Sequence, residues 1–440
     1  MLRVNRRKFL KLTGGGAVAK IGGIASILAV RHAPAYAQAT TLRWLRWFDP
    51  VPAADEVLRA MLPEVEKALG ITVNLERIRG NDLQSRLTAD IQSGAGADII
   101  QLFNNHPHLY AASVVDCSDI AEEIGKLQGG YYGSAKGNCH NGARWLGLPM
   151  ATIGILIAYR KSWFEEIGVT SYPDTWDRVR AAGKKLKEKG RPIGQSLAQS
   201  FGDPPAFAHP FLWSFGGKEV EIDGKTIAIN SRETIEAVKY MAAFWKEAHD
   251  EGGLAWDDSN NNRAFLAGTI CATLNGASIY IEALRKPDQH KTEKGTQLKD
   301  DILHSLLPKG PNGQFGLHVQ QSHVIPTHSK NQTAAKDLLR WFHTASNYEK
   351  WFNGGKGFYS GVTLDWEKSK MWAEDPVMLP YRAAGRVGQV PGYPGPTGIK
   401  PAESLSKHLI VNMFARAAQG TMSAEESVKI CENDLKRVYG

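Results

Sequence analysis

Four cysteines in 440 residues (Cys117, Cys139, Cys271 and Cys431) form no Cys-x-x-Cys pair, so a zinc-ribbon or thioredoxin-type site lacks its motif. There is no glycine-rich phosphate loop, no Gly-x-Ser-x-Gly elbow and no His-Glu-x-x-His pair, and nucleotide and hydrolase readings have nothing to stand on. No internal repeat or biased tract interrupts the chain. A 42% apolar and 22% charged composition is that of an ordinary globular protein. Acidic residues are missing from one place only, the first 37 residues, which hold seven of the 53 Lys and Arg side chains. The other 46 face 45 Asp and Glu, so the net charge of +8 belongs to the start of the chain. A nearly neutral remainder excludes the clustered cations of a nucleic-acid surface.

That start runs Asn5-Arg6-Arg7-Lys8-Phe9-Leu10-Lys11, then a mild apolar stretch to Val30, then Ala33-Pro34-Ala35-Tyr36-Ala37. Basic head, apolar middle and small-residue end are the layout of a secretory signal. The paired arginines before Phe-Leu-Lys resemble a twin-arginine export signal, with cleavage expected after Ala37. An uncleaved anchor is the alternative, weakened by five glycines and Lys20. In an exported protein Cys117 and Cys139 could pair; free buried thiols are equally compatible with the spacing.

A length of 440 residues suggests two lobes, or two to three domains. Thr41 to Phe48 alternates apolar and polar side chains, a strand ending at Asp49-Pro50. Ala54 to Leu69 reads as a helix stopped by Gly70, Ile71 to Ile78 as a strand, Asp82 to Ser93 as a helix, and Asp98 to Phe103 as a buried strand. This order marks an α/β unit with a largely parallel sheet, whose ligands gather beyond the carboxyl ends of the strands. Further on, Ile153 to Tyr159 is strand-like, and Thr175 to Lys189 and Ser231 to Ala248 are helical. Gly385 to Pro401 reads as a long surface loop, and Ser423-Ala-Glu-Glu426 as a capping box opening a last helix to about Val438.

Five ordered segments carry a family resemblance. They are Gly94-Ala-Gly96-Ala-Asp98-Ile-Ile; Leu148-Pro149 with Ile155 to Trp163 and Tyr172-Pro-Asp-Thr-Trp176; Phe265-Leu-Ala-Gly268 to Gly276; His323-Val-Ile-Pro326 to Phe342; and Arg416 to Leu435. In these the chain resembles the extracellular solute-binding proteins of ABC importers for carbohydrates, the maltose-binding-protein-like family. The resemblance implies an α/β, two-lobed periplasmic-binding-protein fold, each lobe a mostly parallel sheet flanked by helices, joined by crossing hinge segments. Crossings are expected near Pro149 to Ile155, near Asn275 and near His343. Residues 38–149 and 276–343 would then form the first lobe, and 150–275 and 344–440 the second. It further implies a periplasmic monomer without catalysis, cofactor or metal, delivering a sugar to the membrane subunits of an importer. The same fold could hold a polyamine or glycerol phosphate, and a secreted glycoside-processing enzyme is the rival of another class.

Sugars present apolar ring faces to aromatic side chains and hydroxyls to fixed donors and acceptors. On that chemistry the strand-end residues Trp47, Phe48 and Asp49 are candidate contacts. So are Asn104, Asn105 and His106, which stand where the family places polar contacts, and Asn275 at the return crossing. Tyr280, Trp145, Trp213 and Tyr359 are further ring candidates, with a core role as the alternative for each. His106-Pro-His108 and Cys139-His140 belong to no recognisable metal-ligand set.

Overall fold

The computed structural model describes residues 40–440, so the expected leader lies outside the described residues. Strands β1 (Thr40–Trp47), β2 (Ile71–Ile78), β3 (Ile99–Phe103), β4 (Leu148–Ile153), β5 (Leu156–Arg160), β6 (Ala272–Asn275), β7 (Ile302–Ser305), β8 (Val319–Val324) and β9 (Tyr359–Ser360) form two sheets. The larger has the order β2-β1-β3-β8-β4-β9 and the smaller β6-β5-β7. Each is flanked by helices, which gives the expected two-lobed α/β architecture.

The first unit forms for local reasons. The helix Pro52–Leu69 opens on a proline, carries Asp55 in its first turn and stops at Gly70, whose φ of 68° closes the last turn on the Glu66 carbonyl. Its buried face, including Leu58, Met61 and Val65, covers the sheet. β2 returns parallel to β1 in unbroken register from Thr40 opposite Ile71 to Trp47 opposite Ile78. β3 then adds to the other side of β1, also parallel. The last helix, Ala424–Tyr439, starts in the expected capping box between Ser423 and Glu426.

Three features differ from the sequence expectation. Parallel pairing is confined to β1, β2 and β3; β8, β4 and β9 join antiparallel, and the smaller sheet is wholly antiparallel. Second, the chain crosses between Ile153 and Leu156, within the expected range, but two later crossings lie further along than expected. Ile302–Ser305 pairs with β5 in the smaller sheet and Tyr359–Ser360 with β4 in the larger. The chain therefore leaves the smaller sheet between Ser305 and Val319, not near Asn275, and is still beside the larger sheet well beyond His343. These strands of four and two residues are too short to show a period. Third, Gly385 to Pro401 is no simple surface loop. Helices Ala384–Val387 and Ile399–Ser406 enter it from either side, and Tyr393 packs edge-on to Trp213 at 5.4 Å.

All four cysteines are buried free thiols. Loss of hydration pushes Cys117 and Cys139 up to about 12, so neither is a thiolate at neutral pH. Among the described residues no helix is long and apolar enough to cross a membrane.

One buried ion pair ties the smaller sheet together. Arg160, 1% exposed, donates from Nε to Asp301 Oδ2 at 2.7 Å and from Nη2 to Glu293 at 3.0 Å, with its guanidinium 4.2 Å over the Trp163 ring. Asp301 also accepts the Ser162 backbone N–H at 2.6 Å and its hydroxyl at 2.8 Å. Asp301→Ala leaves the guanidinium with the half-exposed Glu293 alone and orphans two more donors. Urea unfolding should show a loss of about 3 kcal/mol or more, and Asp301→Asn, which keeps an acceptor, a smaller one.

Candidate functional site

Between the two sheets lies a cavity of about 550 Å³, within the size range of small-ligand sites. The larger-sheet side supplies Trp47 at the end of β1, then Phe48 and Pro50, and the turn Arg79-Gly80-Asn81 after β2. The smaller-sheet side supplies Ser200 to Asp203, Asp257 to Ser259 with Asn262 and Arg263, and Asn275, Gly276 and Ser278 after β6. Ile153, Ile155, Val319 and Phe358 line it where the chain crosses. The site sits at strand ends, as the topology requires.

One wall is aromatic. The Trp47 indole is buried edge-on to Phe103, centroids 5.1 Å apart, and to Phe201 at 5.7 Å. Its N–H finds no acceptor among the described residues. Phe48 is 54% exposed with the Arg77 guanidinium 5.2 Å over its ring.

The opposite wall is polar and pre-ordered. Asn275 Nδ2 donates to Asn262 Oδ1 at 2.6 Å, Asn262 Nδ2 to Ser278 Oγ at 2.8 Å, and the Ser278 hydroxyl to Asn275 Oδ1 at 3.0 Å. This closed ring fixes three side chains whose remaining lone pairs and protons suit hydroxyl groups. The close approach depends on Gly276, where a Cβ would stand 2.6 Å from the Ile153 side chain.

Below it, Asp258 organises the loop that enters the helix Asp203–Ser214. Its Oδ1 accepts the Asp203 N–H at 2.7 Å, and its Oδ2 accepts the Gly202 N–H at 3.2 Å and the Ser200 hydroxyl. Buried Asp203 accepts from the Asn261 amide at 2.7 Å, and burial together with the Asp258 charge holds its carboxyl well above the usual carboxylate range. Asp257 is engaged in its own turn, accepting from Ser259 N–H at 2.8 Å and Asn260 N–H at 3.2 Å. All three carboxylates that line the cavity stand on the smaller-sheet side.

A smaller chamber of about 290 Å³ adjoins it, sharing Gly80, Asn81 and Phe201 as lining and adding Phe103, Gln84, His106, Ser406 and His408 among others. Its lining holds no Lys, Arg, Asp or Glu. Burial, with a smaller contribution from His408, pushes His106 down to about 3, so that ring is neutral at physiological pH.

Of the residues singled out from sequence, Trp47, Phe48 and Asn275 line the main cavity and His106 the smaller chamber. The other seven line neither. Asp49 accepts the Val51 N–H at 2.8 Å and the Tyr359 hydroxyl, and Tyr359 is buried and stacked on Trp351 at 4.3 Å. Together they brace the loop that carries Phe48. Loss of hydration pushes Asp49 up to about 7, against the Tyr359 hydrogen bond and the Arg46 charge. Asn104, with φ of 48°, exchanges hydrogen bonds with Gln320. Asn105 donates to Thr397 at 3.2 Å. Trp145 donates to Glu122 at 2.6 Å, Tyr280 to Asp375 at 2.6 Å, and Trp213 packs against His209 and Phe315. The segments 200–203 and 257–263, unmarked by any motif, supply much of the polar wall instead. His108 is engaged with the Gly137 carbonyl at 2.9 Å, and among the described residues no group of three or more His, Cys, Asp or Glu is arranged to hold a metal.

Comparison with known proteins agrees with this geometry. The family model described as bacterial extracellular solute-binding protein matches residues 50–349. Putative binding proteins of Brucella abortus (strain 2308) and Brucella suis biovar 1 are each 25% identical over 323 residues, 70% of this chain and 73% of the relative. Among solved structures, an ABC transporter solute-binding protein from Thermotoga lettingae bound with α-D-tagatose superposes with a TM-score of 0.78 at 20% identity, covering 91% of this chain and all of the other. A maltose-bound MalE3 from T. maritima gives 0.74 at 18%, covering 90% and 100%. A ribitol complex from Agrobacterium radiobacter K84 gives 0.71 at 17%, covering 91% and 98%. At these identities the superpositions establish the fold.

Proposed function

This chain belongs to the bacterial extracellular solute-binding proteins, and on that premise we propose that it captures a neutral, hydroxylated solute, a sugar, between its lobes for an ABC importer. The observation that carries the reading is the pairing of the Trp47 and Phe48 rings with the Asn275-Asn262-Ser278 ring across one cavity. Stacking surface faces fixed amide and hydroxyl groups, which is what a pyranose asks for. Solved structures of the same fold are described as bound with tagatose, maltose and ribitol, in keeping with a polyol.

The charged groups do not favour the rival solutes. A polyamine needs free carboxylates, but Asp258 is occupied by two backbone N–H groups and a hydroxyl, Asp257 by its own turn, and buried Asp203 by the Asn261 amide, its carboxyl held well above the usual range by burial and the Asp258 charge. Arg79 and Arg263 share the cavity and repel a cation. A phosphate would seek the helix N-terminus at Asp203, which the Asp258 carboxylate already covers. Hydrolysis of a glycoside needs two carboxyl groups flanking the bond; the carboxylates that line the cavity lie on one side, and we read the protein as a binder without catalysis.

The basic, acid-free start of the chain supports export by the twin-arginine route, and the family supports a location outside the cytoplasmic membrane, taken here as the periplasm, with the importer's membrane subunits as partner; we take the binding protein to act as a monomer. We take the three crossings, near residues 153–156, 305–319 and beyond 360, as the hinge on which the lobes close. The test is a thermal-shift screen of mono- and oligosaccharides. A sugar present at about 100 times its dissociation constant adds about 2.7 kcal/mol, which raises the melting temperature measurably. Trp47→Ala should abolish that shift while leaving the ligand-free melting curve cooperative. A screen without any sugar shift would overturn the reading.

A further inference from the structure

Phe201 is carried by the smaller-sheet side yet is housed by the other. Its own segment is held on its lobe by Asp258, which takes the backbone N–H groups of both following residues. The ring reaches across and stacks on Phe103 of β3, centroids 4.0 Å apart and planes 14° from parallel. It meets Trp47 of β1 edge-on at 5.7 Å and 77°. A Cβ at Gly80 would collide with this ring, so the close approach requires glycine at that position. The Phe201 backbone N–H donates to Asn81 Oδ1 at 3.2 Å. A rigidly mounted aromatic plug thus fits a socket made by three separate elements of the opposite lobe, and every contact is between protein atoms. Both chambers are lined by this ring.

We propose that Phe201 is an interlobe clasp, a ring that holds the two lobes together across the cleft independently of any solute. Offset stacking and edge contacts are specific in geometry, so the clasp favours one lobe orientation among those the hinge allows. A solute that binds the clasped arrangement then pays less for closure; if loss of the ring lowers the population of that arrangement tenfold, apparent affinity falls about tenfold. The proposal rests on the two-lobed fold and not on the identity of the solute, so a failed sugar screen leaves it standing.

The experiment is a distance measurement by pulsed electron resonance on the whole exported protein. Spin labels are placed through Leu127→Cys on one lobe and Ile222→Cys on the other, both positions being exposed and the four native thiols buried. After denaturation, dialysis and refolding to strip any co-purified solute, the parent should give one narrow distribution. Phe201→Ala should lengthen and broaden it, and Phe201→Tyr, which keeps the ring, should restore it. Gly80→Ala, which blocks the socket and leaves Phe201 in place, should reproduce the Phe201→Ala result. Circular dichroism and a cooperative melt establish that each variant is folded. Distributions for Phe201→Ala and Gly80→Ala that superpose on the parent would overturn the clasp.

Discussion

Asp258→Ala should abolish solute capture and lower unfolding stability by about 2–4 kcal/mol. The carboxylate ties together the turn that delivers Ser200 to Asp203 into the cleft, accepting two backbone N–H groups and a hydroxyl. Hydrogen bonds to a charged acceptor contribute about 1.5–3 kcal/mol each, and donors left without partners cost about as much. Partial hydration of the loop offsets part of that sum. Capture suffers more than stability, because the same turn positions Phe201 and the wall beside the Asn275-Asn262-Ser278 ring. Asp258→Asn keeps an acceptor for one donor set and should fall between. Chemical denaturation and ligand titration on the three proteins check both effects; full affinity in Asp258→Ala would show that the turn is ordered by other contacts.

Acid should destabilise the protein well above the pH at which its carboxylates titrate. Burial pushes His106, His209, His249 and His343 down to about 3 and His304 and His318 to about 4. In the unfolded chain the same rings titrate near 6.5. Their depressed folded values mean that the stability they contribute is present above about pH 6.5 and is lost as pH falls towards 3–4. Buried acids act in the opposite sense. Burial raises Asp49 and Glu219 to about 7, and Asp203 is also held high, so these keep protons in the folded state and lend stability as pH falls from about 7 towards their unfolded values. Burial also lowers His108, His323 and His408 and raises Asp258, so the rings outnumber the acids and leave a net uptake of at least about two protons on unfolding between pH 6.5 and 5, equivalent to on the order of 3 kcal/mol per pH unit. Urea midpoints measured from pH 8 to pH 5 should be level at first and then fall steeply below 6.5. His343, buried and, among the described residues, without a hydrogen-bond partner for either ring nitrogen, is a direct control: His343→Phe should reduce the slope. A midpoint that rises on acidification would contradict the neutral burial of these rings.

The first half of the larger sheet was legible in the sequence because its signals are local. Alternation in Thr41 to Phe48, the glycine after Leu69 and the Ser423-to-Glu426 capping box each act within a few residues. The second half was not. β8 runs Val-Gln-Gln-Ser-His-Val with every residue buried. Gln320 is satisfied by Asn138 and the Ala135 carbonyl, partners far away in the chain, and a polar strand read alone looks like a loop. The same reasoning applies to the site. Trp47, Phe48 and Asn275 were reachable because strand ends are where such folds bind. Asp258 was not, since its donors lie more than 50 residues earlier. Aromatic residues were the least informative class: Trp145, Trp213 and Tyr359 have the chemistry of a sugar platform, yet each spends it inside a lobe.

Sugar capture is tested by mass spectrometry of the molecule released when protein purified from its source organism is denatured. A neutral mono- or oligosaccharide should be released in near-stoichiometric amount from the parent and be absent from Trp47→Ala. A polyamine, a phosphate ester or an organic anion recovered at that stoichiometry would contradict it.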